Sequence, residues 1–194
     1  MKNILAGLPD DITGKRILIA GGASGIGRDI TLMLAGMGAK IMLLGENQDD
    51  VDQTMRMLQP TGCESNCFGM AANPSNPEDI KIVLTVIDRQ FRGIDILINN
   101  NMFTFPQYVN VVENPDEQLY SRIQGQYICT REILQRMETS AGEGYILNIN
   151  TIGKDFRRKY QGLCEKTRAA FRTFNALLCK EAAGKNIRVT LSSV

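Results

Sequence analysis

The chain has 194 residues, 43% of them hydrophobic and 22% charged, the composition of a globular protein with a substantial core. Its net charge is +1 and its Lys and Arg are scattered, which argues against a nucleic-acid or membrane surface. Histidine is absent, which excludes His-based triads, His metal sites and imidazole general bases.

Met1–Asp10 carries one Lys and no long apolar core, so it does not read as a signal peptide, and a cytoplasmic protein is expected. Arg16–Ala20 is a strand-length apolar run behind the turn signal Thr13-Gly14. Ile26, Ile30, Met33, Leu34 and Met37 then recur at helical spacing, and Gly38 stops that helix. Ile41–Leu44 predicts a second buried strand. Val51, Met55 and Leu58 predict a helix ending at Pro60, and a weaker strand lies near Cys67–Met70. Pro77 opens a helix carrying Ile80, Val83, Leu84 and Ile87, and Ile94–Ile98 is the next strand. Met102–Asp116 has no clear period and reads as a loop. Leu119, Ile123, Tyr127, Thr130, Leu134 and Met137 mark a long helix, Tyr145–Ile149 a strand, Leu163–Ala183 a helix and Ile187–Leu191 a last strand.

Strands alternating with helices predict parallel pairing through right-handed crossovers. The expected fold is a Rossmann-type doubly wound parallel α/β sheet of about six strands in the order 3-2-1-4-5-6. It has three α/β/α layers in a single domain, residues 1–194. The cysteines are Cys63, Cys67, Cys129, Cys164 and Cys179, an odd count at irregular spacing, which is not a disulfide framework. The Cys63/Cys67 spacing is not a usual structural zinc pair, and no metal site is expected. No transmembrane segment is expected, since the longest apolar stretches fall far short of a span.

Between the first strand and the first helix lies Ala20-Gly21-Gly22-Ala23-Ser24-Gly25-Ile26-Gly27. Glycine serves three needs there: a tight turn, close approach of backbone to a pyrophosphate, and a helix N-terminus aimed at that anion. The same residues could also form a tight turn that holds no ligand. Ile19–Gly27 resembles the nucleotide loop of the short-chain dehydrogenase/reductase family, with Ala20 where Thr is usual. Further landmarks follow in order across nearly the whole chain. Asp95–Asn100 resembles the strand leading into Asn-Asn-Ala-Gly, Gly144–Thr151 the strand ending in the catalytic Ser, and Lys185–Val189 the strand after the catalytic helix.

The resemblance implies a nicotinamide cofactor held by Gly21, Ser24, Gly25, Ile26, Gly27 and Asn100, and catalysis by Asn, Ser, Tyr and Lys. Position by position, Ser falls on Thr151, Tyr on Cys164, Lys on Arg168 and the relay Asn on Arg122. Thr151 keeps a hydroxyl. A Cys thiol is shorter than a Tyr phenol, and geometry precedes pKa for a general acid. Arg168 keeps charge but is not a Lys replacement. Arg122 is either a solvated helix residue or an anion binder. Tyr160, four residues before Cys164, does not restore the motif. Met102 replaces a glycine near the nicotinamide half. The family's Pro-Gly turn, substrate loop and further strand would lie past Val194, outside these residues, so the sequence names no substrate.

At the end of the second strand Gly45 stands where many NAD-using relatives have Asp, and Glu46 where many NADP-using relatives have Arg. A carboxylate repels a 2′-phosphate, so NAD is the expected cofactor. Asn73 falls beside the adenine position. Three readings remain open. They are an NAD-linked oxidoreductase with degenerate catalytic positions, a non-catalytic nucleotide-binding or partner-subunit module, and a truncated paralogue. Self-association is expected through helices 117–137 and 163–183, which carry Ile128, Ile133, Phe171 and Phe174.

Overall fold

A computed structural model describes residues 4–74, 76–102, 115–139, 142–151 and 161–193. In chain order the elements are β1 (Arg16–Ala20), α1 (Gly25–Gly36), β2 (Lys40–Gly45), α2 (Gln48–Leu58), β3 (Cys67–Ala71) and α3 (Pro77–Gln90). They continue with β4 (Ile96–Met102), α4 (Pro115–Glu138), β5 (Gly144–Thr151), α5 (Gln161–Ala182) and β6 (Ile187–Ser193). Every neighbouring strand pair is parallel, and the six-stranded sheet runs β3-β2-β1-β4-β5-β6, as the alternation of elements predicts.

The apolar runs are continuous because both faces of the sheet are covered. Alternate residues of one strand divide between the two layers. Ile17 and Ile19 join α1 and α2 on one face, while Leu18 and Leu97 join α3 and α4 on the other. Phe171, Phe174 and Leu178 of α5 pack with Ile123 and Tyr127 of α4. Three of the apolar residues expected to mediate self-association, Ile133, Phe171 and Phe174, are therefore buried within the chain.

The helices that serve only the fold are capped by their own side chains. Asn47 accepts from the Asp50 amide at α2, and Asn76 from the Glu78 amide at α3. Both helices open with acidic residues, which suit the positive end of the helix dipole. In α1, Ser24 stands at the N-cap without a side-chain cap bond, and the first turn holds no acidic residue.

Two strands run longer than apolar pattern alone indicates. β4 continues past Ile98 through Asn99–Met102, because this polar run pairs with Asn148–Thr151 of β5. β6 continues to Ser193 along Asn150. Among the described residues, no helix is long and apolar enough to cross a membrane.

At the N-terminal end of the two central strands Arg16 clamps β1 to the residue that precedes β4, Asp95. Its Nη2 lies 2.5 Å and its Nε 2.9 Å from the two Asp95 carboxylate oxygens, and Nη1 donates to the Arg92 carbonyl at 2.9 Å. Burial by itself would raise the Asp95 pKa, but hydrogen bonds and charge from Arg16 outweigh it, so the carboxyl sits below its ordinary value. A depressed carboxylate stabilises the fold above its unfolded pKa, and that contribution fades as pH falls through the folded one. Asp95→Asn should therefore cost about 1–2 kcal/mol at neutral pH, the range for a partly exposed charge-assisted pair. The gap between the two proteins in denaturant melts should narrow as pH falls below the ordinary Asp range and close once it passes the lowered folded value.

Candidate functional site

β1 ends at Ala20, where its neighbours β2 and β4 lead the chain in opposite directions across the sheet, the usual place for a ligand crevice in an open α/β fold. The turn that follows is built on close backbone contact. A Cβ on Gly27 would lie 1.8 Å from the Gly21 carbonyl oxygen and 2.6 Å from Asn100 Nδ2. Gly21 has φ +77°, and a Cβ there would lie 2.6 Å from the Asn100 carbonyl oxygen. Glycine is required at both positions, so α1 starts hard against the end of β1.

The carbonyl groups of this turn are tied down one after another. The Gly21 oxygen accepts from Asn100 Nδ2 at 3.0 Å and the Gly22 oxygen from Thr31 Oγ1 at 3.0 Å. The Ala23 oxygen accepts from Thr54 Oγ1 at 2.8 Å and Arg28 Nε at 3.0 Å, and the Ser24 oxygen from the Arg28 amide at 3.1 Å. The Gly22 amide donates to the Leu44 carbonyl at 2.9 Å. The opening amides of α1, on Gly25, Ile26 and Gly27, have no acceptor within the helix by the geometry of a helix start. With the carbonyls engaged elsewhere and no acidic first turn, this end of α1 suits an anion such as a phosphate.

β2 delivers Gly45 beside the turn. A Cβ there would lie 2.6 Å from Ala23 Cβ and 2.7 Å from Val51 Cγ2. An Asp side chain at 45 could not enter without displacing α2, so the carboxylate at this strand end falls to Glu46, which is exposed. Asn73 is exposed just past β3, and its amide donates to Asp79 Oδ2 at 2.8 Å. Asn100 is mostly buried; its Nδ2 holds Gly21, and its Oδ1 has no partner among the described residues.

The positions inferred for catalysis fall on three elements, β5, α4 and α5. Thr151 ends β5 in register with Met102 at the end of β4. Arg122 lies on α4, and Cys164 and Arg168 lie in the first two turns of α5. Arg168 is half-buried. The side chains of Met102, Arg122, Thr151 and Cys164, and all of Tyr160, lie outside the described residues. Away from this site, burial pushes the Cys67 thiol up to about 11 and the Cys129 thiol up to about 12, which disfavours the thiolate at both.

Sequence reasoning missed the polar side chains that support this end of the sheet. Besides Thr31, Thr54 and Arg28, a buried amide network joins the strands to the helices. Asn99 Nδ2 reaches Thr130 Oγ1 at 3.0 Å and Asn148 Oδ1 at 2.9 Å, and Asn148 Nδ2 reaches Asn175 Oδ1 at 2.9 Å. Gln126 Nε2 also donates to Asn148 Oδ1, at 3.2 Å. The available signal was position: Gln126 and Thr130 share helical spacing with Ile133, Leu134 and Met137, and Thr54 lies three residues after Val51.

Residues 15–193 match the family model described as short chain dehydrogenase. The chain belongs to the short-chain dehydrogenase/reductase family. It is 25% identical over 181 residues to the 3-oxoacyl-acyl-carrier-protein reductase FabG of Vibrio cholerae, covering 92% of this chain and 72% of that one. It is 27% identical over 146 residues to farnesol dehydrogenase of Aedes aegypti, covering 74% of this chain and 59% of that one. Among solved structures, L-sorbose reductase from Gluconobacter frateurii, complexed with NADPH and L-sorbose, superposes with a TM-score of 0.77. It is 26% identical, and the match covers 95% of this chain and 70% of that one. Glucose dehydrogenase of Caenorhabditis elegans in its apo form, 21% identical, shares the fold with a TM-score of 0.78 over 93% of this chain and 73% of that one. The family is one of oxidoreductases, and this chain is oxidoreductase-like in sequence and fold.

Two glycine substitutions separate the tight turn from ordinary helix. Gly27→Ala drives a methyl into backbone and should lower the melting temperature. Gly36→Ala in the same helix meets nothing within 4 Å and should raise stability by about 0.5–1 kcal/mol through lower unfolded-state entropy. Thermal melts of the two variants against the native chain measure the contrast.

Proposed function

We propose that this chain binds a nicotinamide dinucleotide at the glycine turn, with NAD preferred over NADP. We further propose that its carbonyl–alcohol hydride transfer is weak or lost. The observation that carries this reading is the turn itself. Gly27 leaves no room for a side chain, and the carbonyls of residues 21–24 are all engaged by donors, so the amides of α1 are left for a diphosphate. Gly21, Ser24, Gly25, Ile26 and Gly27 would hold that group, Glu46 the adenosine ribose and Asn73 the adenine edge. Asn100 would keep the turn in place from β4. A relative complexed with NADPH supports the nicotinamide class of cofactor. The choice of NAD rests on Glu46, whose carboxylate would repel a 2′-phosphate.

When bound, the nicotinamide would accept or supply hydride. The groups this chain offers beside it are the Thr151 hydroxyl for orienting a carbonyl and a thiol at Cys164 in place of a phenol. Arg168 replaces the tuning amine, and Arg122 stands at the water-relay position. Loss of a positioned general acid costs about 10²–10⁴ in rate. The chain then works as a nucleotide-binding or partner-subunit module that keeps the family's cofactor turn. Self-association through α4 and α5 belongs to the same proposal, with Tyr120 (69% exposed) and Leu177 (50% exposed) as their outward apolar residues.

Calorimetric titration with NAD⁺, NADH, NADP⁺ and NADPH, paired with a carbonyl and alcohol substrate panel, tests the reading. NAD and NADH should bind more tightly than the phosphorylated pair, turnover should be negligible, and Gly27→Val should lose binding. Unchanged affinity in Gly27→Val would show that the loop is only a turn. Restoring Cys164→Tyr and Arg168→Lys together should raise turnover if the acid and its cation are the sole obstacle. Robust turnover by the native chain, insensitive to change at Cys164, would contradict the assignment.

A further inference from the structure

Resting on that nucleotide reading, we infer that Thr54 and Arg28 act as positioning residues that latch the phosphate turn to α2. Thr54 is fully buried, on the face of α2 that looks toward α1. Its Oγ1 donates to the Ala23 carbonyl at 2.8 Å and accepts from Arg28 Nε at 2.9 Å, while the same Nε lies 3.0 Å from the Ala23 oxygen. Arg28 is itself held by α2, through Gln53 Oε1 at 3.0 Å and Asp50 Oδ1 at 3.6 Å. Three atoms from three segments thus close a triangle on one carbonyl.

The consequence follows from peptide geometry. A trans peptide unit is planar, with its carbonyl and amide pointing in opposite directions. Holding the Ala23 oxygen against α2 therefore turns the Ser24 amide away from α2, at the N-cap of a helix whose opening amides are open to an anion. A released Ala23–Ser24 unit could rotate its oxygen toward a bound diphosphate, where it would repel. The latch prevents this. Because α2 directly follows Glu46 and Asn47, the same contact fixes the ribose end of the site relative to the phosphate end.

Thr54→Val keeps the shape of the side chain and removes the hydroxyl, and Thr54→Ser returns it. Titrations of NADH, ADP and adenosine into the native chain and both variants read the effect. Thr54→Val should weaken NADH and ADP by about 3–10-fold, the value of one hydrogen bond. Adenosine should be unchanged, and Thr54→Ser should recover the native affinities. An equal loss for adenosine, no loss at all, or failure of Thr54→Ser to rescue would overturn the latch. If the native chain binds no nucleotide, the nucleotide reading fails, and the latch is still decided by amide relaxation of the ligand-free protein. The Ser24 order parameter should fall from about 0.85 to below about 0.6 in Thr54→Val, and an unchanged value would overturn it. Should Thr54→Val not fold, Arg28→Met is measured by the same titrations and relaxation, with the same outcomes on either side.

Discussion

The start of α1 is fixed by the contact between Gly27 and the carbonyl of Gly21, where a single methyl would overlap backbone at 1.8 Å. That approach brings the helix start down onto the end of β1 at the centre of the sheet. It also brings Asn100 of β4 within reach of the same carbonyl. The turn is thereby wedged between two strands and one helix, and its peptide groups take one orientation. Thr31, Thr54 and Arg28 finish the arrangement by donating to the carbonyls that the turn cannot bond internally. An unpaired buried carbonyl costs about 1–3 kcal/mol, so these donors stabilise the fold and shape the site at once.

The two halves of the sheet's C-terminal end are supported differently. Around β1 and β2, glycines and packed aliphatics such as Val51 against Gly45 act together with the side-chain donors on the turn's carbonyls. Around β4 and β5 the support is a chain of amides from Thr130 through Asn99 and Asn148 to Asn175. Such networks rigidify when fully satisfied. This one is satisfied at its centre, while Gln126 Oε1 and Asn150 Oδ1 at its margin have no partner among the described residues. Thr151 ends β5 three residues after Asn148 of this network. A substitution in Asn148 would therefore be felt in two strands and two helices together.

Much of the fold was legible because its signals are local and repeated. Strand-length runs such as Arg16–Ala20 and Ile41–Leu44, separated by helical periods, permit few topologies other than a parallel doubly wound sheet. The glycine turn was legible for the same reason, since its residue type states a backbone need. What escaped were the partners of that turn. Thr54 looks like an ordinary helix residue in sequence, because nothing in its neighbourhood says which carbonyl it will meet. The apolar run stopped at Ile98, because the polar side chains of Asn99–Asn101 mask a strand that continues by backbone pairing with β5. The same limit applies to Gly45: the absence of Asp was visible, but the reason, a collision with Ala23 and Val51, belongs to packing.

We propose that the turn of residues 21–27 is a working dinucleotide site in a chain whose family catalytic positions carry other residues. The most direct measurement is amide chemical-shift mapping of the native, isotopically labelled protein as NADH is added. The amides of Ser24, Gly25, Ile26 and Gly27 should shift together and saturably, with Glu46 and Asn73 following. Saturable shifts confined to other surfaces, or none at concentrations where the family's nucleotide turns are filled, would contradict it.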